Sequence, residues 1–256
     1  MQWSFRTCFG IYTPRYSVDA ETRVQHDDTF LDIPNFFMSF NLKLITNFKR
    51  LVSLYQNGAR FCAFDTETTG IDPRYCRIIE LGAVIFTKDG ISDTYSTLVN
   101  PEEPIPPQIT ELTGISDSMV CDAPSALKVI PEFKKFCQDT ILVAHNAQFD
   151  LRFVNAEAQR LELMELSNEA VDTLRLSRIM LPENTTWKQP ELAKQFNIDT
   201  GHAHRAFDDA KVCSQLFSIL VNMKVPPKTK RRRLAAIASK QKNLETSFLA
   251  SQALSN

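Results

Sequence analysis

From residue 59 onward, short apolar runs alternate with segments in which apolar residues recur every three or four positions. The run RFCAFDTE predicts a buried strand, and RIIELGAVIFTKDG and ISDTYSTLVN predict two more, separated by a Lys-Asp-Gly turn. Since short turns of this kind connect hairpins, we expect these three strands to be antiparallel. Two further apolar runs, TILVAHN (140–146) and VDT (171–173), predict a fourth and a fifth strand.

Helical periodicity fills most of the remaining chain up to residue 222. The predicted helices cover residues near 108–113 and 125–138, AQFDLRFVNAEAQRLEL (147–163), pieces around 174–181 and 188–196, and about 205–222. Strands alternating with helices in this way predict an α/β domain.

Three regions differ in character along the chain. We expect an N-terminal extension over residues 1–58, an α/β domain over 59–223 and a basic tail over 224–256. In the extension, Leu44, Phe48, Leu51 and Tyr55 recur at helical spacing, and Gly58 follows them as a helix-ending residue would. The extension therefore predicts one amphipathic helix that packs on the domain.

The tail begins after a Pro-Pro pair and carries a cluster of basic residues: Lys228, Lys230, Arg231, Arg232 and Arg233. Such a cluster favours an electrostatic hold on single-stranded nucleic acid, or a nuclear import signal if the host has a nucleus. The third interpretation is a solvated, disordered tail with no binding role. Further on, QKNLETSF resembles a sliding-clamp-binding peptide at low specificity.

Composition narrows the class of protein. The chain has 256 residues, 43% hydrophobic and 23% charged, with a net charge of −1, so it predicts a packed core and no chain-wide basic field. Its six cysteines form no C-x-x-C pair, which is typical of reduced thiols in a reducing compartment such as the cytoplasm. No apolar run approaches the roughly 20 residues of a membrane span, so no membrane partner is expected.

Two carboxylates interrupt the first predicted strand near its end. Asp65 and Glu67 are two residues apart and therefore share one face of the strand, whereas Thr66 points to the other face. Two unpaired carboxylates buried side by side are costly. They require a cation, shared protons or exposure at the strand end.

Helical phase brings in two more carboxylates. Asp150 precedes Phe153, Val154 and Leu161 on the inward side of its predicted helix, after a possible N-cap at Asn146. In HRAFDDA, Asp209 shares a face with apolar residues, whereas Asp208 shares one with polar residues and is expected in solvent. His204, five residues before Asp209, is expected on the loop or first turn that enters the helix.

Four inward carboxylates on three elements favour a metal centre. Like charges brought close raise one another's pKa, and divalent cations relieve this repulsion. Oxygen ligands suit Mg²⁺ or Mn²⁺ rather than Zn²⁺. Two such ions about 4 Å apart are the arrangement used for phosphodiester cleavage, with one ion activating water and the other stabilising the leaving oxygen. A neutral histidine can accept the proton of that water.

The three motifs FDTETTG, HNAQFD and HRAFDDA resemble, in order, those of the DnaQ-like, DEDDh family of 3′–5′ exonucleases, typified by the proofreading epsilon subunit of bacterial DNA polymerase III. LTGISDSMV and VDTLRLSRIMLP resemble the family between these motifs, and the similarity covers roughly residues 60–222. In WKQPELAKQFNI (187–198), only the second half follows the family pattern. Three ordered motifs are far more specific than one.

The resemblance implies a ribonuclease H-like fold, with a mixed five-stranded sheet and helices on both faces, and hydrolysis from a 3′ end of single-stranded DNA or RNA that releases 5′ mononucleotides. It implies that Asp65, Glu67, Asp150 and Asp209 hold two Mg²⁺ or Mn²⁺ ions and that His204 is the general base. The residues that match substrate-contacting positions are Thr66, Thr68, Gly70, His145, Asn146 and Phe149.

Several biological roles are compatible with these motifs. Proofreading would require a DNA polymerase subunit or a sliding clamp as a partner, because the chain carries no polymerase motif, whereas repair or RNA trimming would not. A different class of function is a non-catalytic module that binds nucleic acid ends or a polymerase on the same fold.

Overall fold

A computed structural model describes residues 43–201 and 204–227. The five strands of this region form one sheet in the order β3-β2-β1-β4-β5. They are β1 (Phe61–Thr68), β2 (Ile78–Thr87), β3 (Gly90–Leu98), β4 (Ile141–Ala144) and β5 (Ala170–Asp172). The helices are α1 (Phe48–Gln56), α2 (Pro107–Thr113), α3 (Asp117–Val120), α4 (Ala126–Phe136), α5 (Ala147–Arg160), α6 (Thr173–Met180), α7 (Gln189–Gln195) and α8 (Ala206–Asn222).

The sheet is mixed, as the sequence predicts. Strands β1, β2 and β3 are antiparallel, with Phe61 opposite Phe86 in the register. Strand β4 pairs with β1 in parallel, Phe61 lying opposite Ile141, and β5 pairs with β4 in parallel. The predicted α/β fold with three antiparallel strands is therefore confirmed.

Side chains of β1 alternate between two hydrophobic cores, one on each face of the sheet. Phe61 and Ala63 pack in the core formed with α1, α6, α7 and α8, whereas Cys62 and Phe64 pack in the core formed with α4 and α5. Because the side-chain period of a strand is two residues, Asp65 and Glu67 continue the α8 face of β1. Thr66 continues the α5 face. Helices thus cover both faces of the sheet, and the side chains at the end of β1 point alternately to these two faces.

Helix α1 is shorter than the periodicity predicts. Leu44 is not helical, because Lys43 and Ile45 make backbone hydrogen bonds with Ala170 beside β5. The helix begins after Asn47, whose side chain caps it by accepting a hydrogen bond from the Arg50 amide. Its buried residues Leu51 and Tyr55 enter the core on the α8 face. Residues 1–42 of the predicted extension and residues 228–256 of the basic tail, including the clamp-like peptide, lie outside the described residues.

Of the five cysteines in the described part of the chain, three are buried: Cys62, Cys137 and Cys213. Burial raises the pKa of each of these three thiols. Across residues 43–201 and 204–227, no helix combines the length and apolar character needed to cross a membrane.

Candidate active site

Three carboxylates from two elements meet at the end of β1. Asp65 and Glu67 project from β1, and Asp209 projects from the first turn of α8. One oxygen from each can be chosen so that all three lie within 4.8 Å of one another. Each residue is partly buried, so the cluster retains some exposure to solvent.

Asp150 reaches the site from the opposite face of the sheet. It lies in the first turn of α5 and is 3% exposed. The Thr66 amide and hydroxyl both donate to Asp150 Oδ1, at 3.0 and 2.8 Å. Because Thr66 points to the α5 face between Asp65 and Glu67, this pair of hydrogen bonds ties the fourth carboxylate to the strand that carries the first two.

Burial raises the pKa of all four acids, and the charges of neighbouring acids of the group raise those of Asp65 and Glu67 further, because burial and like charge both disfavour ionisation. Burial, followed by the charges of Asp150, Glu67 and Asp209, raises the pKa of Asp65 well above its usual range. The pKa of Glu67 rises to about 8, mainly through burial and then through Asp209 and Glu80. Burial raises the pKa of Asp150 to about 7, although the hydrogen bonds from Thr66 oppose this rise.

Gln189, on α7, orients the third carboxylate of the cluster. Its side-chain amide donates to Asp209 Oδ1 at 3.0 Å and to the Asp209 backbone carbonyl at 3.2 Å. Burial raises the pKa of Asp209, and the hydrogen bond from Gln189 opposes this. Sequence reasoning missed Gln189, which lies in WKQPELAKQFNI, the segment that follows the family pattern least well.

Glu80 anchors the start of α8 against the sheet. It is 1% exposed and lies opposite Glu67 in the β1–β2 register. Its carboxylate accepts hydrogen bonds from Arg205 at 2.7 Å and from the Ala206 amide at 3.0 Å. Sequence reasoning missed this residue as well, although a carboxylate inside the apolar run IIELGAV was a usable signal.

His204 lies in the turn before α8, where the sequence predicts it. It is exposed, its φ of 60° is left-handed, and its backbone amide donates to Asp209 Oδ2 at 3.2 Å. Asp208 is separate from the cluster, and its carboxylate lies 3.8 Å from Lys211 Nζ. The structure thus places Asp209, and not its neighbour, with Asp65 and Glu67.

His145 links two elements of the protein through its ring. Its two ring nitrogens lie 2.9 Å from Thr173 Oγ1 and 2.9 Å from the Trp187 carbonyl. Burial lowers the pKa of His145 and favours the neutral ring. A neutral ring then donates from Nε2 to Trp187 and accepts at Nδ1 from Thr173.

The other predicted substrate-contacting residues also have contacts within the protein. Asn146 precedes α5 with a left-handed φ of 69°, and its side chain does not cap the helix. Phe149 packs on Phe153 with 5.0 Å between ring centroids. The Thr68 hydroxyl donates to the Gly70 carbonyl at 2.6 Å. Their contact with substrate stays a prediction.

The donor set of the cluster fits a divalent cation. Every candidate ligand atom of Asp65, Glu67 and Asp209 is a carboxylate oxygen, the type preferred by hard divalent ions. Arg205, the arginine that enters α8, hydrogen-bonds to Glu80 rather than to any of these three carboxylates. The negative charge of the cluster is therefore suited to a bound metal ion.

A family comparison identifies the domain that carries this cluster. Residues 62–217 match the exonuclease family, RNase_T, and this range is more than half of the 256-residue chain. The chain belongs to the exonuclease family. The range includes β1, α5 and α8, the elements that supply the four acids of this exonuclease domain.

Two relatives illustrate the sequence similarity. Over 163 residues, the chain is 40% identical to DNA polymerase III subunit epsilon of Treponema pallidum, covering 63% of this chain and 76% of that protein. Over 157 residues, it is 44% identical to a PolC-type DNA polymerase III of Caldanaerobacter subterraneus, covering 61% of this chain and 11% of that protein. The similarity therefore spans most of the epsilon subunit but only about a tenth of PolC.

Solved structures agree with this assignment. Exonuclease X in complex with 5′ overhanging duplex DNA is 30% identical, with a TM-score of 0.52 and coverage of 64% of this chain and 91% of that chain. The nuclease domain of 3′hExo, a DEDDh family member bound to rAMP, is 18% identical, with a TM-score of 0.58 and coverage of 67% and 98%. The second comparison shows the shared fold alone.

Proposed function

We propose that this protein is a metal-dependent 3′–5′ exonuclease that removes 5′ mononucleotides from the 3′ end of single-stranded DNA. The observation that carries this proposal is the meeting of Asp65, Glu67 and Asp209 within 4.8 Å. Asp150 lies against the same strand through Thr66. A partly exposed cluster of carboxylates suits the hydrolysis of a phosphodiester through bound cations.

The relatives support DNA as the substrate. The epsilon subunit is named as part of DNA polymerase III, and Exonuclease X is described in complex with DNA. RNA is the competing substrate class. We therefore propose DNA hydrolysis, in replication proofreading or DNA repair, with a polymerase subunit or a sliding clamp as the protein partner.

The four acids are proposed to bind the cations from both faces of the sheet. Asp65, Glu67 and Asp209 would bind Mg²⁺ or Mn²⁺ on the α8 face, and Asp150 would complete a two-ion site from the α5 face. When bound, these ions supply Lewis-acid stabilisation of charge at the phosphate and lower the pKa of a water molecule. Gln189 and the His204 amide hold the Asp209 carboxylate in place through its two oxygens.

His204 is proposed as the general base. It lies five residues before Asp209 and is exposed at the entrance to α8, so its ring is free to accept a proton from a water molecule next to the phosphate. Its left-handed backbone bends the chain just before α8 and brings its own amide onto Asp209. The protonated ring then returns the proton to solvent, which restores the neutral base.

Replacing two acids tests the assignment. Asp65→Ala combined with Glu67→Ala should reduce degradation of single-stranded DNA in Mg²⁺ at least about 10³-fold, a loss typical of groups that act as a unit. Asp208→Ala, an acid outside the cluster, is the matched control and should retain activity. Time courses on 3′-labelled and 5′-labelled DNA and RNA oligonucleotides would report polarity and sugar preference.

Two outcomes of that experiment would count against the proposal. A double variant as fast as wild type would refute the site. A wild-type protein that binds oligonucleotides but degrades neither DNA nor RNA in Mg²⁺ or Mn²⁺ would favour the non-catalytic binding module instead.

The role of His204 has its own test. His204→Ala should reduce kcat by roughly 10²–10⁴-fold, the usual contribution of a general base. The Mn²⁺ concentration for half-maximal activity should change much less, because the side chain is not a proposed metal ligand. A comparable loss of rate and metal affinity would make His204 a structural residue, and kcat measured across a metal titration distinguishes the two.

A further inference from the structure

The loop between β1 and β2 is closed tightly at its base, next to the carboxylate cluster. It starts two residues after Glu67 and spans residues 69–77. The Thr69 amide donates to the Arg77 carbonyl at 2.9 Å, and the Arg77 amide donates to Thr69 Oγ1 at 2.9 Å. These two hydrogen bonds hold both ends of the loop together.

Helix α5 anchors the same loop a second time. Arg77 Nε donates to Glu157 Oε1 at 2.8 Å, and Arg160 Nη1 lies 3.1 Å from the same oxygen. Arg160 also donates to the backbone carbonyls of Pro73 and Cys76. The loop is therefore a fixed structure that runs from the cluster along α5.

This fixed loop presents an aromatic ring to solvent. Tyr75 is 74% exposed, so its ring buries little apolar surface in the folded core. The Arg74 guanidinium lies 5.3 Å from the centroid of that ring, and Asp72 holds Arg74 through a 2.6 Å hydrogen bond. The ring is thus held in place while most of its surface remains open.

Two arginines lie near the single carboxylate of Asp72, which precedes the ring in this loop. Hydrogen bonds from Arg74 lower the pKa of Asp72 most, and the charge of Arg152 on α5 lowers it further, so both arginines lie near this one carboxylate. Arg77 and Arg160 likewise share the single carboxylate of Glu157. Glu103 accepts a hydrogen bond from Thr69 at the base of the loop, where the charges of Glu103 and Glu102 act on Arg77, so these two acids lie at the base.

We propose that Tyr75, Arg74 and Arg152 form a platform for the single strand on the 5′ side of the terminal nucleotide. A base would stack on the Tyr75 ring, and the two guanidinium groups would contact phosphates. Stacking of this kind accepts any base, since every base has a π-face. This inference rests on the proposed function, because it identifies how that site holds the remainder of its substrate.

The test compares a long and a short substrate. Thymidine 5′-p-nitrophenyl phosphate has no nucleotide on the 5′ side of the reacting phosphate, whereas a dT12 oligonucleotide has eleven. For Tyr75→Ala, the ratio of KM for dT12 to KM for the ester should rise about tenfold, a loss in the range of one stacked base. Tyr75→Phe should retain the wild-type KM ratio. Leu127→Ala, at a 68% exposed position on α4, is the control and should also retain it.

Binding without turnover provides an independent readout. With EDTA present, Tyr75→Ala should weaken dT12 binding about tenfold in fluorescence anisotropy. Arg152→Gln should reduce the dependence of log K on log salt by about one, as for the loss of one phosphate contact. This measurement applies even if the protein proves to bind DNA without cleaving it, so failure of the platform and failure of the nuclease proposal are distinguishable.

Three results would overturn the platform. They are an unchanged KM ratio in Tyr75→Ala, a Tyr75→Phe variant as defective as Tyr75→Ala, and unchanged dT12 affinity in EDTA. An equal loss on the ester and on dT12 is one form of the first result, because it leaves the KM ratio unchanged and indicates distortion of the catalytic site rather than loss of a strand contact.

Discussion

Thr66 determines how two faces of one strand contribute to a single site. Its neighbours Asp65 and Glu67 point toward α8, while its own amide and hydroxyl hold Asp150 on the α5 side. Hydrogen bonds to an ionised carboxylate favour the charged form. Thr66 therefore opposes the burial that raises the pKa of Asp150 to about 7.

Thr66→Val tests this contribution while preserving the β-branched shape of the side chain. Removal of the hydroxyl should raise the pKa of Asp150 further, so that more of the protein carries a protonated Asp150 at neutral pH. If the pKa of Asp150 rises by one from about 7, its ionised fraction at pH 7 falls from about one half to about one tenth, so we expect the rate at pH 7 to fall about fivefold. The loss should shrink at higher pH, where Asp150 ionises again.

The measurement is the pH–rate profile of single-stranded DNA degradation. Its acidic limb should move to higher pH in Thr66→Val and stay in place in Thr66→Ser, which retains a hydroxyl. A uniform loss at every pH would show that Thr66 serves packing and does not tune Asp150.

Individual site residues differ in how far the sequence reveals them. Helical phase distinguishes Asp209 from Asp208, because each has a full face of neighbours to compare. Gln189 has no such pattern, since it acts through hydrogen bonds to Asp209, which is 20 residues away in sequence. Contacts of this kind depend on how α7 packs against α8, which local periodicity does not encode.

Helix α8 approaches the sheet through the one residue of β2 that lacks a side chain. A Cβ added to Gly82 would lie 2.1 Å from the Phe207 amide nitrogen and 2.3 Å from the Ala206 carbonyl carbon. Both contacts are with backbone, which cannot rotate away as a side chain can. The first turn of α8, which carries Asp209, therefore rests directly on β2.

Gly82→Ala should displace this turn and with it Asp209. Overpacking of this kind costs about 1–3 kcal/mol, equivalent to roughly 2–4 °C in Tm per kcal/mol for a domain of this size. Activity should fall by more than the stability loss explains, since a shift of about 1 Å in a catalytic group costs on the order of 10²-fold. Thermal denaturation and kcat, measured on the same sample, test both effects.

Ala83→Gly is the matched control for that variant. It changes β2 by one methyl group on the opposite face, in the α4–α5 core. It should lower Tm and leave kcat close to wild type. Full activity in Gly82→Ala would show that α8 tolerates the shift without moving Asp209.

The elements that the sequence predicts well are those with a clear period. Alternating and apolar runs in β1 and β2 predict the antiparallel sheet, and the long apolar face of α8 predicts its inward side. Helix α1 is overestimated because Leu44 keeps the helical spacing while its neighbours pair with the edge strand β5. A backbone pairing to a distant strand leaves no trace in local periodicity.

Charges in the folded protein are segregated despite a net charge of only −1. The carboxylates of Asp65, Glu67 and Asp209 gather at one end of the sheet, while Arg74 and Arg152 lie near the tip of the adjoining loop. This arrangement places negative charge where cations are proposed to bind and positive charge where the strand is proposed to pass. The nearly neutral total conceals both regions.

The carboxylate cluster makes the stability of the metal-free protein depend on pH. Glu67 has a pKa of about 8 in the folded state and an ordinary value of 4.5 when exposed. Between these values the folded state binds more protons than the unfolded state, so the free energy of unfolding decreases as the pH rises. The decrease ends above about pH 8, where Glu67 is ionised in both states.

Glu67→Gln removes this titration and retains the shape of the side chain. In EDTA, the variant should therefore gain stability relative to wild type as the pH is raised from 5 to 9, and the measurement is Tm by calorimetry across that range. Mn²⁺ should raise the Tm of the wild type strongly at pH 8, because binding to the folded state stabilises it, and should raise that of Glu67→Gln much less. Parallel Tm–pH curves for the two proteins, with equal gains from Mn²⁺, would show that Glu67 is neither strongly perturbed nor a metal ligand.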